Sequence, residues 1–225
     1  MNEKTKRILL LSFATIVILP LVYYGASIFI YQSLVNEGSV LADNQCLHVN
    51  PIIIDRKNSY IKSIEALKAN DFEEYERQTD AYFAASEKYV TEQSKWLDTQ
   101  KKYMDRWDFK YFNPSYVKAA AKHQYDSRNA DTESTKLLIE SYQVSQLNKS
   151  LAEEIAQKSV NKIKERNEAD RKYDEIWDNP GKLDWRTRFI KVPPSKCPDK
   201  NFDIPDVDNF LNPETSPGNP DAPLS

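Results

Sequence analysis

From residue 39 to residue 180 the chain contains no glycine. Up to residue 178 that stretch holds only two prolines, Pro51 and Pro114, and each follows an asparagine. Glycine and proline are the strongest local punctuation a chain has. A run of 142 residues without the first and nearly without the second, rich in Glu, Lys, Ala, Leu and Gln, has little open to it but long helix. The expected fold class is therefore all-α: an N-terminal transmembrane helix, a long antiparallel helical hairpin of coiled-coil type, and a disordered proline-rich tail.

The N-terminal end sets the expected compartment. Residues 8–35, ILLLSFATIVILPLVYYGASIFIYQSLV, carry no charge, and a bilayer core needs about 20 apolar residues in a helix. Lys4, Lys6 and Arg7 precede the run, and no Lys or Arg follows until Arg56, after Glu37 and Asp43. The positive-inside bias places residues 1–7 in the cytoplasm and the rest of the chain outside it. Tyr23, Tyr24, Phe29 and Tyr31 crowd the outer half, where aromatic rings favour the headgroup level. A cleaved signal peptide is the competing reading, with Val40-Leu41-Ala42 as a passable site, but the apolar run is about twice the usual length of such a segment. A buried globular helix is the third reading. Asp43-Asn44-Gln45 before Cys46 is too polar for a lipoprotein signal.

Two asparagine–proline pairs divide the region that follows. Asn caps a helix N-terminus, and Pro suits the first helical turn because its missing N–H would go unbonded there. Asn50-Pro51 and Asn113-Pro114 thus predict arms at about 51–109 and 114–178, ended by Asn179-Pro180-Gly181. Nearly equal arms of about 90 Å form a hairpin and bring Cys46 and Cys197 to the same end. Outside the cytoplasm such a pair oxidises, and closing so long a loop stabilises by ~5 kcal/mol on the chain-entropy model. Free thiols or an intermolecular bridge are the alternatives. A second topology breaks each arm, at 67–72 and at 128–132, and gives a four-helix bundle. The expected organisation is 1–7 cytoplasmic, 8–35 membrane anchor, 36–50 linker, 51–178 hairpin, 179–197 a basic aromatic segment and 198–225 an acidic tail.

The first arm carries Tyr75, Tyr82, Tyr89, Trp96 and Tyr103 at intervals of seven, with Phe72, Thr79, Ser86, Gln93, Gln100 and Trp107 in a neighbouring row. A sustained seven-residue repeat implies packing against a partner helix. The row is either the chain's own seam or, since tyrosine suits half-exposed contacts, an interaction face for a second helix pair. Trp185, Arg186, Arg188 and Phe189 mix basic and aromatic groups, which fits headgroups at the outer leaflet or packing on the base of the rod.

Motifs for chemistry are absent. The sequence has no phosphate loop, no Ser-His-Asp or Cys-His arrangement and no CxxC. His48 and His123 are the only histidines, too few for a zinc site. No catalytic residue, metal or cofactor is expected, and the chain is not expected to be an enzyme. The net charge of −3 becomes more acidic once the basic N-terminus is set aside, which argues against nucleic acid. The expected partners are the bilayer and a protein, or a second copy, met through the helices. The expected function is a membrane-anchored extracytoplasmic scaffold, with a ligand-sensing module acting through a membrane partner as the alternative. An envelope-spanning adaptor lacks the β-domains that usually flank such hairpins.

Overall fold

The computed structural model describes residues 3–145, 147–178 and 184–197. The chain divides into two compact units, Met1–Ser195 and Lys196–Ser225. Only Lys196 and Cys197 of the second are described, so the expected acidic tail, 198–225, lies outside the described residues. Every described element is helical: α1 (Glu3–His48), α2 (Asn50–Lys68), α3 (Phe72–Asp105), α4 (Trp107–Phe112), α5 (Ser115–Ser145), α6 (Lys149–Asp178) and a 3₁₀ helix at Trp185–Phe189. Neither cysteine is free. As the chain has only two, the bond is Cys46–Cys197.

The first unit is built on three chain reversals rather than one, so the two expected arms become four packed rods. The first reversal lies at Ala69–Asp71. Asn70 takes a left-handed φ of 57°, a conformation that Asn tolerates better than most residues. Asp71 then caps α3 by accepting from the Glu74 N–H at 3.1 Å. The second reversal is α4 with Asn113-Pro114. Asn113 is extended, as a residue before proline should be, and Pro114 offers the first carbonyl of α5 to the Lys118 N–H. The third lies at Asn148, whose side chain caps α6 through the Leu151 N–H at 3.1 Å. The alternative break at 128–132 does not occur, because α5 runs unbroken through it.

Asn50-Pro51 behaves differently from expectation. Val49 keeps a helical conformation and its N–H still bonds the Gln45 carbonyl at 2.8 Å. Proline at this point costs one backbone bond and bends the helix without ending it. Residues 36–50, expected as a linker, are therefore helix.

Cross-chain contacts fix the register. Tyr103 bonds the Leu34 carbonyl and Trp96 the Leu41 carbonyl. Arg56 meets Ser86, and Tyr60 meets Tyr82. The outer half of α1 and all of α2 thus run as one arm antiparallel to α3. α5 returns along α3, with Phe83 stacked on Tyr142 at 3.8 Å and Gln100 against Ala121. α6 returns along α5, with Ser134 against Ser159 and Ser141 bonded to the Ala152 carbonyl. Small residues let this last pair approach closely. The apolar core is Val49, Ile52 and Tyr89, with Ile53 and Val90 against it. Burying each large side chain there stabilises by roughly 1.5–3 kcal/mol.

Candidate functional site

The four rods leave one end where α1, α4, the start of α5 and the end of α6 meet. Tyr31 of α1 shares a hydrogen bond with Tyr116 of α5, and Tyr116 lies edge-on to Trp177 of α6. Arg106, between α3 and α4, pairs with Glu37 of α1 and with Asp108 at 2.5 Å. The Arg106 hydrogen bonds hold the Asp108 carboxyl below the usual range, so this junction stays ionised. We call this end the base. The opposite end carries the reversals at Ala69–Asp71 and at Asn148.

Just inside the base lies a cavity of about 190 Å³ lined chiefly by apolar groups, among them Leu34, Leu41, Trp96, Tyr103, Val117 and Trp177. Its polar side chains include Asn113, Gln124 and Gln100, the last of which is 4 % exposed. The Gln100 amide N donates to the Ala121 carbonyl and to Gln124, each at 3.3 Å, but its Oε1 has no partner. A buried acceptor without a donor carries a desolvation cost of about 1–3 kcal/mol. The cavity is thus matched to a small apolar molecule with one O–H or N–H donor, or to water.

Midway along the bundle a polar clamp joins all four rods. The Arg56 guanidinium donates to Ser86 at 3.1 Å and to Thr135 at 3.4 Å, and lies 4.6 Å from the Tyr89 ring centre. The Tyr89 hydroxyl donates to Asp131, whose other oxygen receives Arg166 at 3.2 Å. Burial, with the neighbouring Asp131 charge, pushes the Tyr89 hydroxyl well above its ordinary value. The clamp pairs Asp131 with Arg166 and rests Arg56 on two hydroxyls and the Tyr89 ring, an arrangement that suits locking helices together. Sequence reading missed Arg56, Asp131 and Arg166. Charged residues amid polar helix faces carry no local mark, and only the register brings these three together.

The expected interaction row is spent inside the chain. Tyr89 is 1 % exposed, Trp96 donates to the Leu41 carbonyl at 2.9 Å and Tyr103 to the Leu34 carbonyl at 2.7 Å. Tyr75 and Tyr82 are half-buried. From Tyr82 to Tyr103 the row is the chain's own seam against α1 and α2. In its neighbour row the middle residues Ser86, Gln93 and Gln100 are all buried, while Phe72 and Trp107 at its two ends are exposed.

The basic aromatic segment splits in two. Arg186 is internal: it forms a two-pronged pair with Asp184, at 2.8 and 2.6 Å, and lies over the Tyr31 ring. That pairing lowers the Asp184 carboxyl and raises Arg186. Trp185, Arg188 and Phe189 are more open to solvent, although Trp185 meets Tyr24 edge-on at 5.3 Å. Residues 184–195 run along α1 from Tyr24 to Asp43, tied by Lys191 to Gln32 and by Ser195 to Asp43. Among the described residues, no group of three His, Cys, Asp or Glu side chains is placed to hold a metal ion.

No protein-family model, curated protein or solved structure matches the chain. The physical reading of the residues therefore carries the functional argument.

Proposed function

We propose that the chain is a single-pass membrane protein whose helical bundle stands outside the cytoplasm as a scaffold for a partner in a membrane or envelope complex. The observation that carries this reading is the bare inner half of α1. α1 is long and apolar enough to cross a membrane. From Thr15 to Ala26 every residue is exposed, and the first buried one is Ser27. An unpacked apolar helix in water is costly at about 25 cal/mol per Å² of apolar surface, and a bilayer removes that cost. Residues 8–26 rise about 28 Å, close to the thickness of a hydrocarbon core. The span is thus shorter than the charge-free run 8–35, since Tyr31 and Leu34 already serve the bundle.

Lys4, Lys6 and Arg7 on one side, and Glu37 and Asp43 on the other, favour a cytoplasmic N-terminus. The Cys46–Cys197 bond suits an oxidising compartment on the far side. From Leu34 to Lys68 the arm is about 50 Å long. Its far end exposes Leu67, Phe72, Leu147 and Leu151, with Leu147 90 % exposed. This apolar tip is the surface offered to a protein partner, and no reaction is assigned to the chain. Affinity purification of the full chain from detergent-solubilised membranes tests the reading. A stoichiometric partner that is lost in the Phe72→Glu/Leu147→Glu variant is expected. Equal recovery with both chains, or no partner at all, contradicts the scaffold role.

The cavity beside Gln100 favours a second reading, a ligand-sensing module acting through a membrane partner. Phenol and toluene, which differ by one hydrogen-bond donor, separate the two. Thermal stabilisation by phenol alone, abolished in Gln100→Leu, supports sensing, and no shift with either supports the scaffold.

A further inference from the structure

Among the described residues outside α1, the large aromatic rings left exposed are Phe72, Trp107, Tyr111, Trp177, Trp185 and Phe189. All except Phe72 gather at the base, the end at which α1 enters the proposed membrane. Trp107 and Tyr111 belong to α4, whereas the sequence reading placed Trp107 on the first arm and Tyr111 between the two arms. They stand four residues apart and so share one face of that helix. Trp107 is 64 % and Tyr111 81 % exposed, while Phe109 on another face is 4 % exposed. A soluble turn gains nothing by leaving a Trp and a Tyr in water.

The level of α4 is set by its contacts. Arg106 reaches Glu37, Phe109 packs edge-on to Tyr103 at 4.9 Å, and Tyr103 bonds Leu34. Just after α4, Tyr116 meets Tyr31. α4 thus lies level with residues 31–37 of α1. Phe29, which is itself 77 % exposed, is two residues below Tyr31, about 3 Å of helix rise. A headgroup region adds about 5–8 Å to each side of the hydrocarbon core, so above a span ending at Ala26 it reaches the level of Tyr31, the membrane-side limit of α4, and a tilt of about 20° toward α4, ordinary for a membrane helix, brings that helix lower. Amphipathic rings are favoured at this depth. Lys110 sits between the two rings in sequence and pairs with the exposed Asp105 at 3.2 Å. Its neighbour Lys118 reaches back to the Lys110 carbonyl at 3.0 Å.

We propose that α4 is a second membrane contact, with Trp107 and Tyr111 seated in the headgroup layer of the same bilayer that α1 crosses. This inference rests on the membrane reading above. With α1 it gives the bundle two points of attachment, and two points fix its tilt where one leaves it free to lean. Trp185 and Phe189, on the 3₁₀ helix beside Tyr24, lie lower, at the end of the span, and are not level with α4.

Tryptophan fluorescence of the full chain in phospholipid vesicles, with and without lipid brominated near the top of the acyl chains, tests the proposal. Trp177→Phe/Trp185→Phe leaves Trp107 and the buried Trp96 as emitters, and adding Trp107→Phe isolates the Trp96 background. Adding Ile18→Trp to that last chain places a reporter indole within the anchor. Quenching of both Trp107 and the anchor reporter by bromolipid, with Trp107 shielded from aqueous acrylamide, is the expected result. If the anchor reporter is quenched while Trp107 answers only to acrylamide, the α4 contact is overturned and the anchor stands. If neither is quenched by lipid, both fall. Quenching of Trp107 alone supports the surface contact and overturns the span.

Discussion

Along α3, two neighbouring rows are built from opposite materials. Tyr89, Trp96 and Tyr103 hand their polar tips to Asp131, Leu41 and Leu34 while their rings fill the seam with α1 and α2. Gln93 and Gln100, a heptad apart in the adjacent row, are as deeply buried, yet both amide atoms of Gln93 and one of Gln100 lack a partner. Ser127 on α5 is buried and unpartnered as well. The contrast teaches that burial alone does not tell which contacts hold a bundle. An aromatic ring with a satisfied tip gains from both its body and its tip, whereas an amide without partners gives back in desolvation much of what its packing gains.

The contrast breaks most visibly at Tyr89. Tyr89→Ala removes the ring at the centre of the apolar cluster and leaves Asp131 with one partner fewer, and is expected to cost about 3–5 kcal/mol in denaturant unfolding followed by circular dichroism. Gln93→Leu is expected to act in the opposite direction, stabilising by roughly 1–3 kcal/mol, because it removes two buried unpartnered groups. A loss of stability there would mean that Gln93 has a bound partner such as water. Tyr103→Phe keeps the ring and removes one bond to the Leu34 carbonyl, at a cost of about 1 kcal/mol in the same assay.

Alkali probes the row in another way. The folded chain keeps the Tyr89 hydroxyl protonated above its ordinary value of 10.0, whereas the unfolded chain releases that proton near the ordinary value. Above that pH the unfolded state therefore binds fewer protons, and stability falls as pH rises. Burial raises Tyr103 in the same sense, with Glu37 adding to it. The slope of stability against pH above about 10 is expected to be shallower in Tyr89→Phe than in the native chain. The smallest effect lies outside both rows. Arg171 pairs with Glu168 and Glu175 on the open face of α6, and Arg171→Ala is expected to leave the unfolding midpoint unmoved, as exposed pairs usually do.

The helical character and the apolar entry were legible because both follow from composition: no glycine for 142 residues and no charge across residues 8–35. The cysteine pair was legible for the same kind of reason. The reversals were harder. Asn113-Pro114 marked a true helix end, but Asn50-Pro51 did not, since the Val49 and Ile53 N–H groups carry the helix across it. Asn148 carries no proline beside it to mark a helix end, and its role as a helix cap emerges only once Leu151 is seen to donate to it. The aromatic row was readable as a seam, but not which helix would fill it: the partner is α1 with α2, brought there by the turn at Asn70. The outward face of α4 was unreadable, because a six-residue element has too short a period to show which side is buried.

The central claim is that residues 8–26 cross a membrane with the bundle on the far side. Limited proteolysis of sealed vesicles of both orientations, with the fragments mapped by mass spectrometry, tests it most directly. The account predicts that protease on the bundle side leaves a membrane-retained fragment containing residues 8–26, while protease on the other side trims only residues 1–7 and spares the bundle. Release of the intact chain into the soluble fraction, or cleavage of the bundle from the side that carries Lys4, Lys6 and Arg7, would contradict it.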